Sequence, residues 1–300
     1  MRRPLLLLTA AVLGAPALAW AQSGGGKLLL TGGVSSIDGA AGGGLTPWAV
    51  TGSYATAGEW GGTAFVTRAK TGNYGLLTYG AAAAFHDRVE VSLAKQDFDT
   101  ESNLAPLGLD GLHLKQDILG VKLRVAGDAV LDSDTLMPQI AVGLEHKKTH
   151  AGNLGPTLFG PLGARDSGTD LYASATKLFL AEGVLVNLTL RATKANQNGL
   201  LGFGGAQGKG MQLQPEFSLA KLLRKDLAIG FEFRAKPDNL NQSVLGAGAL
   251  KEDDWKDVFV AWAPSKHFSL TAAWVDLGRI APAVQPKRQT GSYLSAQFAL

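Results

Sequence analysis

Four short constellations carry residue types that catalysis or ligand binding uses. His267-Phe268-Ser269 sets an imidazole and a hydroxyl two residues apart, on one face of a strand. That is the pairing in which a base activates a nucleophile toward an ester. No third group that would orient the imidazole is identifiable. Asp97-Phe98-Asp99 is a same-face carboxylate pair. Activating a water there calls for a histidine, and His86, His113, His146 and His150 have no matching spacing, so the pair reads as solvated rim carboxylates. Asp132-Ser133-Asp134 offers two carboxylates, short of the roughly six to eight oxygens that Ca²⁺ takes; Asp and Ser also favour turns. Gly202-Phe203-Gly204-Gly205 lacks the following helix and the Lys-Ser/Thr of a phosphate loop. No catalytic residue, metal ligand or cofactor is assigned, and the expectation is a protein that is not an enzyme.

The better lead is a set of charged side chains embedded in alternating apolar runs: Lys122, Arg124, Glu145, Arg191, Glu216, Glu232 and Arg234. Each shares a strand face with polar neighbours. The opposite faces carry Leu119, Val121, Leu123 and Val125, then Ile140, Val142 and Leu144, then Val258, Val260 and Trp262. A period of two over such lengths is the strand signature. An Arg or Lys facing lipid at mid-depth costs about 2–4 kcal/mol, which turns these charges inward. Lining a lumen, they would set ion selectivity; paired, they would cross-link a closed and plugged barrel. Both readings stand at this point.

Fourteen runs have this character. They lie near Lys27–Ser36, Thr46–Thr56, Trp60–Lys70, Tyr74–Phe85, Arg88–Phe98, His113–Ala126, Thr135–Lys147, Thr169–Leu180, Val184–Lys194, Met211–Leu222, Leu227–Lys236, Trp255–Ala263, His267–Leu277 and Thr290–Leu300. From the fifth onward, long Gly-, Pro- and Asn-rich connections alternate with tight ones. That is the pattern of an antiparallel up-and-down transmembrane barrel with short periplasmic turns and long external loops. An all-β barrel of fourteen strands is expected, with twelve as the second choice should Lys27–Ser36 be a plug segment, whose Gly32 and Gly33 suit a strand poorly. Trp48, Trp60, Tyr74, Trp255, Trp262 and Trp274 fall near strand ends, as interfacial girdles do.

Residues 1–21 read as a cleaved signal peptide: Arg2 and Arg3, an apolar Leu5–Leu13, and Ala19-Trp20-Ala21. Residues 22–300 then form one barrel domain in the cell outer membrane, in contact with its lipid and lipopolysaccharide. Two of the 28 basic residues fall in the signal, leaving 26 against 25 acidic ones, and nothing in this balance points to nucleic acid, so no nucleic-acid partner is expected. Cysteine is absent, so no disulfide framework holds the fold. Leu294, Ala296, Phe298 and Leu300 share a face in a C-terminal stretch similar to the strand read by the barrel-assembly machinery, with Leu in the last place.

Several stretches resemble a proteobacterial outer-membrane barrel family known as domain of unknown function 3034. They are Gly26–Val34, Gln116–Lys122, Arg191–Gln197, Lys236–Leu240 and Lys251–Trp255. The resemblance implies an outer-membrane barrel and carries no substrate and no catalytic residue. His267-x-Ser269 is similar to the motif of outer-membrane phospholipases, though its place after a short turn puts it at the periplasmic end. Two external loops are apolar, one with Leu158 and Phe159, the other with Leu201 and Phe203. They either constrict the lumen, receive a hydrophobic solute or pack together as a lid. The functional expectation is a passive channel or transporter for a small solute; a non-conducting structural or surface-interaction barrel is the alternative, and a lipid hydrolase a third reading.

Overall fold

The computed structural model describes residues 26–130, 135–208 and 210–300. The expected signal peptide and Asp132-Ser133-Asp134 lie outside the described residues.

Alternation of side chains does what the sequence pattern demands. Twelve strands hydrogen-bond in antiparallel order and close on themselves. They are β1 (Trp60–Thr71), β2 (Gly75–Phe85), β3 (Val89–Asp99), β4 (His113–Ala126), β5 (Gln139–His150), β6 (Ser167–Phe179), β7 (Val184–Thr193), β8 (Gln212–Arg224), β9 (Leu227–Arg234), β10 (Trp255–Ser265), β11 (Phe268–Asp276) and β12 (Thr290–Ala299). Each strand pairs with its neighbour in sequence. The seam is β12 on β1, in register from Gly291 opposite Thr71 to Ala299 opposite Thr63.

The fourteen-strand expectation is therefore corrected to twelve. The two runs that drop out, Lys27–Ser36 and Thr46–Thr56, belong to the N-terminal segment, which lies inside the barrel instead of in its wall. Residues 30–53 are buried almost without interruption. The segment enters at the periplasmic mouth, where Lys27 pairs with Asp87 at 2.7 Å. It then rises to a tight hairpin in which Val34–Ser35 bridges Ala41–Gly42. It returns to the same mouth before β1. Asp38 sits at the hairpin tip. A twelve-strand ring encloses more space than its own side chains fill, unlike an eight-strand one.

The outer face is apolar, as expected: Leu119, Val121, Leu123, Val142, Leu144, Val258 and Val260 are exposed. Trp60, Trp262 and Trp274 are exposed near strand ends, as a girdle requires. Trp48, Tyr74 and Trp255 are corrected, because all three are buried. Trp48 packs in an apolar cluster with Leu178, Leu185 and Phe259, and Trp255 lies under Lys236 at 4.0 Å. A two-residue bridge, Gln242–Ser243 with Gly246–Ala247, stiffens one external loop.

Leu119→Arg places a cation on the lipid face midway along β4. Urea denaturation in lipid vesicles is expected to show a loss of about 2–4 kcal/mol.

Candidate functional site

The inward faces of the strands are hydrophilic because a lumen of this width has to meet either water or the polar backbone of a plug. All seven charged residues expected inside do point inward. Lys122, Glu145, Arg191, Glu216, Glu232 and Arg234 are buried, and Arg124 is part-buried at the periplasmic mouth. They face the plug and one another instead of an open bore.

Lys122, Glu232 and Arg234 bind plug backbone directly, Arg234 through the Leu45 carbonyl at 3.1 Å, and Glu90 joins them. Lys122 Nζ donates to the carbonyls of Ala41 (2.8 Å) and Val50 (2.9 Å). Glu90 pairs with Lys122 at 3.1 Å. Its carboxylate accepts from the amides of Ala41 (3.0 Å) and Gly52 (2.6 Å). Glu232 accepts from the Leu45 amide at 2.8 Å and the Thr46 hydroxyl at 2.6 Å. Gly43 passes so close that a Cβ there would stand 2.2 Å from the Glu232 carboxylate. Around Pro47 the wall donates instead: Ser174 and Thr189 hydroxyls reach its carbonyl at 3.2 and 2.9 Å. Thus the plug's carbonyls and amides find wall partners, as buried backbone must.

Asp38 is the apex of the arrangement. Its carboxylate lies 3.2 Å from Lys147 Nζ and 2.9 Å from Arg234 Nη1. The Asn198 amide donates to it at 2.6 Å. Lys147 also meets Glu145 (3.3 Å) and Asp170 (3.1 Å). Arg191 bridges Glu145 (2.7 Å) and Glu216 (2.6 Å) and lies over the Tyr172 ring. Arg234 reaches Glu216 at 3.2 Å. The wall thus supplies three cations and three carboxylates, and the plug adds the fourth carboxylate.

Asn198 arrives from outside, on the external loop between β7 and β8. Gln197 and Asn198 both hold left-handed backbone (φ 44° and 61°). Asn tolerates that conformation better than most residues. The turn lets Asn198 accept from Lys147 (2.8 Å) and Arg234 (2.9 Å) while donating to Asp38. An external loop and a periplasm-anchored plug are thereby latched to each other on the wall.

Arg124 is at the other end. It pairs with Asp87, donates to the Gly127 carbonyl at 2.7 Å and meets Asp128 at 2.9 Å. Asp87 also holds Lys27, so this cluster ties the plug's entry to the first periplasmic turns.

Above the latch lies an apolar vestibule of about 470 Å³. Leu158 and Leu201 line it, with Tyr74, Phe98 and Leu114 from strand ends. Phe159 and Phe203 do not line it. Phe203 is buried beside Gly168 and Gly199, and Phe159 abuts Gly155 and Gly202. The vestibule's loops are clamped by Arg279 on Asp253, through contacts of 2.8 and 2.9 Å. The Arg279 guanidinium holds the Asp253 carboxyl at about 2. A second tie is buried: Glu252 accepts from the Gln197 amide at 2.9 Å and faces Lys236 at 3.7 Å. Burial pushes Glu252 up to about 7 and Lys236 down to about 8.

His267 uses its ring Nδ1 on the Ala299 carbonyl at 3.0 Å, at the periplasmic rim. The carboxylate Asp97 has a histidine neighbour after all: His113 Nδ1, across the β3–β4 ladder, lies 2.5 Å from it on the outer face. Asp38, Glu90, Lys147, Asp170 and Asn198 were not anticipated. Strand parity marks Lys147 once Glu145 is inward, and Glu90 by its place between Val89 and Val91. Asp38 and Asn198 carry no comparable pattern.

The sequence from residue 31 to 297 matches the family described as protein of unknown function (DUF3034). The chain belongs to that family. A comparison with curated protein sequences gives no match. Among solved structures, the NanC porin superposes with a TM-score of 0.50 at 6% identity, covering 80% of this chain and 100% of the porin. The KdgM porin, solved with a disordered oligogalacturonate, gives 0.49 at 9%, covering 79% and 98%. The Acinetobacter baumannii protein Omp33 gives 0.44 at 9%, covering 81% and 99%. At these identities the likeness is one of fold. This DUF3034 protein is an integral β-barrel of the Gram-negative outer membrane.

Asp38→Ala removes the plug's carboxylate from Lys147 and Arg234. The plug is expected to loosen by roughly 3–5 kcal/mol, the cost of breaking a buried pair. Hydrogen exchange at the amides of residues 33–52 is the readout; unchanged exchange would show that Asp38 does not hold the plug. The loop tie titrates in a defined direction. The raised Glu252 favours its neutral form, so closure weakens as pH climbs from about 4.5 to about 7. The lowered Lys236 weakens closure as pH falls from about 10.5 to about 8. Opening at Gln197, corrected for intrinsic exchange, is therefore expected to peak between about pH 7 and 8. It should be about tenfold or more easier there than at pH 5, and Glu252→Gln should flatten the acid limb.

Proposed function

We propose that this barrel is a gated path for small solutes across the outer membrane, with the N-terminal plug as its gate. One observation carries the reading. The plug is met by a hydrophilic wall, including Thr67, Gln96, Lys122, Glu145, Asn187 and Arg191, all buried behind it. A barrel serving only as an anchor can fill its interior with apolar side chains, whose exposure on opening would be costly. Ionised and hydroxyl groups are different, because water can replace the plug as their partner at modest net cost. Both described ends of the plug lie at the periplasmic mouth, so it can withdraw without crossing the wall. The balanced charges at mid-height would then line the exposed lumen and set its selectivity.

The non-conducting alternative draws on the density of the same network, and the two readings part in a planar bilayer. The intact protein is expected to be nearly silent. A variant lacking residues 28–54, with barrel closure verified by heat-modifiable gel mobility, is expected to give discrete current steps. Arg191→Ala in that background should shift selectivity toward cations. A folded, plug-free barrel that stays silent would leave only the structural role.

A further inference from the structure

The vestibule plays no part in pairing the wall charges, yet its size and lining are those of a binding site. Its volume of about 470 Å³ falls in the roughly 300–1,000 Å³ range of small-molecule pockets. Tyr74 and Phe98 form an aromatic flank, their rings stacked with centroids 5.2 Å apart. Leucines such as Leu104, Leu158 and Leu250 supply most of the remaining surface, and among the described residues no charged side chain lines it. Thr100 directs its hydroxyl at the Leu112 carbonyl, 2.8 Å away. A charged ligand would lose its hydration here without gaining a counter-charge, a penalty of several kcal/mol or more. An apolar one would gain about 25 cal/mol for each Å² removed from water.

We propose that the vestibule binds an uncharged, predominantly apolar small molecule, aromatic or alkyl, arriving from the external side. The occupant is a free solute and not a lipid chain. The cavity opens among the external loops and the inward ends of the strands, whereas Leu93, Leu119 and the rest of the lipid-facing belt lie on the opposite side of the wall.

The site is wired to the latch. Leu201 lines the cavity, and three residues earlier in the same turn Asn198 grips Asp38. Ile280 lines it too, and its carbonyl accepts from Gln197 Nε2 at 2.9 Å. A ligand that displaces Leu201 or Ile280 therefore acts on the turn that holds the plug's tip. This coupling rests on the plug being a gate; the binding itself does not.

The test uses the folded full-length barrel in lipid nanodiscs with the uncharged fluorophore 1-N-phenylnaphthylamine. Saturable fluorescence enhancement, above that of empty nanodiscs, is expected at one site per barrel. The anionic relative 8-anilinonaphthalene-1-sulfonate should bind at least tenfold more weakly. Leu201→Trp, which fills the cavity without adding charge, should weaken the neutral probe at least tenfold; Leu158→Glu should abolish its binding, with heat-modifiable mobility reporting folding of both. Enhancement equal to that of empty nanodiscs, equal binding of the sulfonate, or indifference to Leu201→Trp would each overturn the proposal. Hydrogen exchange at residues 196–199 with and without probe then reads the coupling. Binding without faster exchange would keep the site and remove its link to the gate, independently of the plug-free conductance.

Discussion

Everything inside this barrel answers to one constraint: backbone placed in a lumen has to find hydrogen-bond partners there. A closed ring of twelve strands satisfies its own amides and carbonyls but leaves a bore its side chains do not fill. Filling that bore with residues 26–56 brings a second set of backbone groups with no ladder to join. The wall supplies the missing partners one by one, from Glu90 and Lys122 near Ala41 to Glu232 at Leu45 and the hydroxyls around the Pro47 carbonyl. The charges are thus arranged along the path of the plug.

The lumen is layered as a result. Toward the periplasm, Trp48, Leu178, Leu185 and Phe259 make an apolar packing zone. At mid-height the ion pairs meet Asp38. Toward the outside, Tyr74, Phe98, Leu114 and Leu158 make another apolar zone. The polar layer is where plug and external loop meet, so it is the layer in which a change at one mouth is felt from the other.

Much of the wall was legible in the sequence. A strand that separates lipid from a polar interior has to alternate, and His113–Ala126 was delimited to the residue by that rule alone. The inward charges followed from the same parity, because the lipid side is so costly for them. The plug was legible only as an alternative reading of Lys27–Ser36, and Thr46–Thr56 reads as wall. Lys27–Ser36 and Thr46–Thr56 also alternate loosely, but here both sides of the chain are buried, and the pattern reflects local wall chemistry instead of a lipid boundary. Trp48 looked like a girdle residue because distance from a strand end does not tell which side of the wall a ring occupies. Asn198 escaped because its role depends on a left-handed turn that carries it inward, and a Gly- and Asn-rich loop has many ways to fold.

The seam has a consequence for how the molecule is made. Strands β1 and β12 are joined last in sequence terms, with Thr67 and Ser295 sharing a hydrogen bond across 228 residues. Contacts of such separation form late. The plug is tethered immediately before β1 and its described ends share the periplasmic mouth, so it can enter a cylinder that has already zipped shut. Docking of the plug and circularisation of the wall are then separable steps of biogenesis, and the ion pairs around Asp38 fasten the plug to a ring that needs no core to be wrapped on.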